Sequence, residues 1–169
     1  MVDTQTTDVL LERLRARAPD ILWDMHRDTM EADLIPCIDA SLTGESERMQ
    51  SALLDAHAEA LVADATSTGH WPVGQILKRY GVHLTLVAWD RWIRRTAKQV
   101  AVDGVDRAPF ITKAETLDAE LSAFDDALHA TEPAIHAQFS DRLSEMYLDL
   151  EFLMSGTPGS LRLSALINA

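Results

Sequence analysis

Cysteine occurs once, at Cys37, in a chain of 169 residues. A lone thiol excludes an intramolecular disulfide and an all-cysteine zinc site, and with no nucleophile signature around it the expectation is an inert, structural residue. Long apolar runs are missing as well. No stretch approaches the roughly 20 apolar residues of a transmembrane helix, and residues 1–19 hold no core of signal-peptide length. A cytoplasmic location without a membrane partner is therefore expected. Basic residues are scarce: 15 Lys and Arg against 27 Asp and Glu give a formal charge of −12. Such a chain repels polyanions, which argues against nucleic acid as a partner. Strand signals are also thin, because β-branched and aromatic runs are short.

What is present points to helix. Apolar residues make up 47% and charged residues 25%, enough for a packed core, and Ala, Leu, Asp, Glu and Arg recur at spacings of three and four. The expected fold is all-α, a single-domain bundle of about six helices over residues 1–155, followed by a short apolar tail, 156–169. A first helix is predicted from Thr7 to Ala18, with Val9, Leu10 and Leu14 on one stripe. Pro19 restarts the chain for a second, which carries Trp23, His26, Met30 and Leu34, is kinked or ended by Pro36, and stops at Thr43-Gly44. Ser46 is a candidate N-cap for a third helix reaching Thr66. Residues Ser67 to Pro72 read as a loop, and Pro72 opens a fourth helix to Val102 that Gly74 and Gly81 are placed to bend. Asp103-Gly104 starts the next loop. Thr112 and Glu115 have capping-box spacing for a fifth helix carrying Leu117, Leu121, Phe124 and Leu128. Pro133 opens a sixth, with Ile135, Phe139, Leu143, Met146, Leu150 and Leu153 in line.

The fourth helix contains a fault line. Val73, Ile76, Leu77, Tyr80, Leu84 and Val87 form an apolar stripe in its first half, but the same stripe continues as Arg91, Arg94, Arg95 and Lys98. Apolar character moves to Trp89, Trp92, Ile93 and Val100. This change of face is expected where one end of a helix packs into its domain and the other meets a different helix or subunit. A surface rich in Trp and Arg has the composition favoured at protein interfaces. The plainer reading of the basic residues is an ion-pair network with the abundant acids.

Motifs for chemistry are few. Gly69-His-Trp-Pro-Val-Gly74 has the glycine spacing of a phosphate loop, but Gln75-Ile76 stands where Lys and Ser or Thr belong. There is no Gly-x-Ser-x-Gly, no His-Glu-x-x-His and no Gly-x-Gly-x-x-Gly, and no Glu-x-x-His pair for a di-metal bundle. His26, His57 and His83 lie on or beside the apolar stripes of three helices. With Tyr80 they are candidates to line a pocket for haem, a metal or a small ligand. The plainer reading is core histidines bonded to their neighbours.

The stretch from Gly69 to Tyr80 and on through Ala88-Trp89 resembles the helical N-terminal sensor domains of stressosome-type regulators, in which a short Gly-x-Pro loop precedes a long helix with a late Trp. That resemblance implies a globin-like arrangement without haem and a dimeric signal-input role. The functional expectation is a non-enzymatic regulatory or sensory module acting by helix-mediated homodimerisation, with a regulatory protein as a further partner and no cofactor. Two alternatives stand beside it: a haem-, metal- or small-ligand-binding protein using the histidines, and a small helical enzyme with a pocket near the Gly69 to Gly74 loop.

Overall fold

Short polar residues, glycine and proline set most of the helix ends. In the computed structural model, which describes residues 4–67, 71–101 and 104–155, seven α-helical segments follow one another: α1 Thr4–Arg17, α2 Arg27–Thr29, α3 Ile35–Leu42, α4 Glu47–Ser67, α5 Val73–Val100, α6 Ala108–Thr131 and α7 Pro133–Ser155. α2 is a single turn, so the fold is an all-α bundle of six helices of two turns or more, without a strand among the described residues. None of these helices is long and apolar enough to cross a membrane. Gly69, His70, Val102, Asp103 and the apolar tail lie outside the described residues. Contacts divide the chain into two compact units, Met1–Leu86 and Val87–Ala169, a division of which the even composition carries no sign.

In the first unit, Leu10, Leu11 and Leu14 of α1 share a core with Leu54, Ala58 and Leu61 of α4, all buried. Ala58 lets the two helices approach closely. Arg13 ties them at the surface, donating to the Ser51 carbonyl at 3.0 Å, and Arg17 reaches Asp55 at 3.0 Å. Such exposed contacts contribute little energy, but they fix the register. Trp23 is fully buried, and its indole N–H donates to the Ala18 carbonyl at 3.2 Å, so the largest side chain of this core leaves no polar atom unsatisfied.

A continuous helix from Pro19 to Pro36 does not form. Trp23–His26 is a 3₁₀ turn, α2 follows, and Met30–Leu34 is a π-helical turn that leads into α3. The cause is Pro36, which has no N–H to give and whose ring would strike the carbonyl four residues back in an α-helix. The wider π turn relieves that clash and delivers Pro36 into the first turn of α3, where no N–H partner is needed. Gly81 of α5 meets this turn: a Cβ there would overlap the carbonyl oxygen of Asp33. Its role is close backbone approach rather than a bend. The stop after α3 and the start of α4 follow the expected chemistry, since Gly44 adopts φ +83° and the Ser46 hydroxyl accepts from the Met49 amide at 3.3 Å.

In the second unit, α6 and α7 form an αα-hairpin joined by Glu132 alone. Leu117, Leu121 and Leu128 are buried on α6, and Ile135, Leu143, Met146, Leu150 and Leu153 on α7. The capping box expected at Thr112 is not used. α6 starts four residues earlier, where Asp106 Oδ1 accepts from the Ala108 amide at 3.1 Å and Pro109 occupies the first turn, while the Thr112 hydroxyl donates back to the Ala108 carbonyl. A proline and an aspartate at the true start outcompete a Thr and Glu one turn inside.

The fault line on α5 is real. Ile76 and Leu77 are buried in the first half, with Val73, Tyr80 and Leu84 half-buried against the same core. Farther on, the buried positions are Ile93, Thr96, Ala97 and Val100, while Arg91, Arg95 and Lys98 continue the first register and are exposed.

Candidate functional site

His57 of α4 is the best-defined polar group of the first unit. The Ser41 hydroxyl, at the end of α3, donates to the Ile38 carbonyl at 2.6 Å, so its oxygen is left to accept from His57 Nε2 at 3.3 Å. With the proton on Nε2, His57 Nδ1 is an acceptor, and Tyr80 of α5 donates to it at 2.8 Å. One relay thus links three helices with every direction defined. Burial holds the His57 imidazole below its ordinary value of 6.5. Burial, and then the nearby Asp64 carboxylate, push the Tyr80 phenol up to about 12. Beside the relay, Arg79 reaches Asp64 at 2.5 Å and lies 5.3 Å from the centre of the Trp71 ring, which pins the chain where it enters α5.

The other two histidines are placed differently. His83 is exposed and stacks on the outer side of Tyr80, with ring centres 6.0 Å apart, because one step beyond Val82 the helix turns away from the core. His26 is half-buried on the 3₁₀ turn, where its ring packs on Gly74: a Cβ there would lie 3.3 Å from His26 Nδ1. The structure therefore brings His57, Tyr80 and His83 together and leaves His26 with α5's first turn. Both ring nitrogens of His57 are engaged, and among the described residues no three His, Cys, Asp or Glu side chains gather to hold a metal. Cys37 faces Gly81 and Thr85, its sulfur 3.4 Å from the Thr85 hydroxyl, as expected of a packing residue.

A second polar cluster escaped the sequence reading. Asp125 of α6 accepts from His136 Nε2 at 2.5 Å and from the Tyr147 hydroxyl at 3.1 Å, both on α7. His129 meets His136 edge to face, with centres 4.8 Å apart. Burial and the Asp125 carboxylate push the Tyr147 phenol up to about 12. Part of the signal was available in principle: His129 lies three residues before Glu132 and His136 four after it, and a tight hairpin brings such positions together.

The second half of α5 carries an apolar surface feature. Trp89 packs edge to face on Phe124 of α6 at 5.2 Å, and Lys113 of α6 sits 5.5 Å from the centre of the Trp92 ring. Both indoles stay half-buried and, with Thr116 and Leu117, line an open and mainly apolar groove of about 260 Å³ whose rim is Lys113 and Glu120. Arg91, Arg95 and Lys98 stand exposed on the same helix, whereas Arg94 folds back onto Asp90 at 2.8 Å. That pair borders a polar cleft with Asp141, Arg142, Glu145 and the buried Asp149 of α7. Arg94 is therefore paired within its own helix, while the other three bases face outward.

No family model matches the chain, and no curated protein or solved structure is significantly similar to it.

Proposed function

We propose that this chain is a non-enzymatic regulatory module that works by helix-mediated self-association, with α5 and α6 of the second unit supplying the contact surface. The observation that carries the reading is the apolar groove in which Trp89 and Trp92 are only half-buried. Large aromatic side chains left half in water gain most from being covered, and Trp beside Arg is the composition of interface hot spots. Charge supports a second copy as the occupant. α5 exposes Arg91, Arg95 and Lys98, while α6 exposes Glu115 and Glu120 beside Lys113 and α7 exposes Asp141, Glu145 and Glu151, so one unit exposes charges of both signs. Surfaces of that kind are self-complementary and suit a two-fold contact. The resemblance of the Gly69 to Trp89 stretch to dimeric sensor domains points the same way.

Sedimentation velocity over a dilution series tests this. The wild-type chain is expected to dissociate from dimer to monomer on dilution, and Trp92→Asp to weaken the dimer by at least about 30-fold, the equivalent of losing a hot spot of about 2 kcal/mol. A wild-type monomer at every concentration, or a Trp92→Asp chain that assembles unchanged, would overturn the reading.

A further inference from the structure

Resting on that self-association, we infer what regulates it: the apolar segment 161–167 of the same chain covers the Trp groove and competes with the second copy for it. The described part of α7 stops at Ser155, and its last turn is held beside the start of α6, where Arg107 donates to the Leu153 carbonyl at 3.2 Å. Lys113 and Glu120, the two ends of the groove on α6, lie six and thirteen residues past Arg107, roughly 9 and 20 Å along the helix. The six steps from Ser155 to Leu161 extend to about 20 Å. Segment and groove are thus within reach of each other on one unit.

The sequence of the segment suits the seat. Leu161, Leu163, Leu166 and Ile167 put four large apolar side chains within seven residues, and the groove lined by Trp89, Trp92 and Leu117 is mainly apolar. Arg162 is the only charged residue of 156–169, so the segment is cationic in a chain of net charge −12, and Glu120 stands on the rim of the groove. Between the segment and α7 come Gly156, Pro158 and Gly159, residue types that end a helix rather than prolong it. A tether this short holds the segment at an effective concentration of order mM, far above that of a second copy in dilute solution. Covering each groove for about two thirds of the time weakens a two-fold dimer about ninefold, because both grooves must be clear.

Sedimentation velocity on the full chain reads the competition. Leu163→Asp with Ile167→Asp should tighten the dimer about tenfold, with the helix content by circular dichroism unaltered. The same two changes in a Trp92→Asp chain should alter the dimer by no more than about twofold, because the seat for which segment and second copy compete is already spoiled. A disulfide reads proximity directly. In a Cys37→Ser chain, Thr116→Cys and Ser164→Cys should join within one molecule on oxidation in dilute solution, giving a monomer without a free thiol. If the two aspartates leave the dimer unchanged, or tighten it equally in the Trp92→Asp chain, or if no disulfide forms, the segment does not sit in the groove, while self-association stands. A dimer weakened by the aspartates, or a disulfide found only between molecules, would mean that the segment is exchanged between copies, which also overturns the inference. A chain that stays monomeric with or without the aspartates removes self-association and the competition with it.

Discussion

Replacing His57 with Gln separates the hydrogen bonds of the relay from its proton. A neutral glutamine has one acceptor and one donor, so it can accept from Tyr80 and donate to Ser41 as His57 does, but it does not titrate. The sign of the pH effect follows from the lowered pKa of the native imidazole. Above pH 6.5 His57 is neutral in both the folded and unfolded chain, and its contribution is complete. As pH falls below 6.5 the unfolded chain takes up a proton that the folded site refuses, and stability drops with a slope approaching about 1.4 kcal/mol per pH unit. The loss levels off once the native imidazole itself titrates. By pH 5.5 the deficit is at most about 1.4 kcal/mol, the limit for an imidazole that stays wholly neutral, and the fall in Tm no more than about 6 °C for a chain of this length. Urea denaturation followed by circular dichroism at pH 7.5, 6.5 and 5.5 would measure it, with the His57→Gln chain as the reference that cancels every other titrating group. Wild-type and variant curves that run parallel across that range would show that His57 is not held neutral, and the relay as drawn would be wrong.

Two further outcomes follow from particular contacts. Gly81→Ala should destabilise by about 3 kcal/mol, because the new methyl would overlap the Asp33 carbonyl and backbone cannot swing aside as a side chain can; urea denaturation giving a loss under about 1 kcal/mol would contradict the close approach. The chain has only two tyrosines, and both phenols are pushed up to about 12, so ultraviolet absorption should show no tyrosinate in the native protein near pH 10. The sign here is the reverse of the histidine case: stability is complete below pH 10 and declines as pH rises from 10 towards 12, where the unfolded chain ionises first. A native ionisation step near pH 10 would show that at least one of the two phenols is in water.

Much of the helical layout was legible because single residues carry strong local physics. Ser46 can cap, Gly44 can turn, and Pro133 can open a helix, whatever surrounds them. The stripes of α6 and α7 and the shifted register of α5 were legible for a related reason, since burial imposes a period that survives without knowledge of the partner. The failures have a common origin in competition between elements. Thr112 has a capping sequence, but Asp106 and Pro109 begin the helix first. The π turn before Pro36 is met by Gly81 of another helix, a close approach that no local pattern encodes. Candidate site residues fared unevenly: His57 and Tyr80 do meet, whereas His83, with the right spacing for the apolar stripe, ends up on the exposed side. The meeting of Asp125, His136 and Tyr147 was not read from the sequence because it depends on how tightly the chain turns at Glu132.

That turn has a kinetic consequence. With Glu132 alone between them, α6 and α7 close on each other at almost no cost in chain entropy, so their contacts are available as soon as either helix starts to form. The first unit has no such shortcut: Arg13 and Ser51, which join α1 to α4, are 38 residues apart, and the intervening turns must be in place before that contact holds. Folding is therefore expected to begin at the hairpin, and the N-terminal core, with its long closure, to be the slower half to assemble.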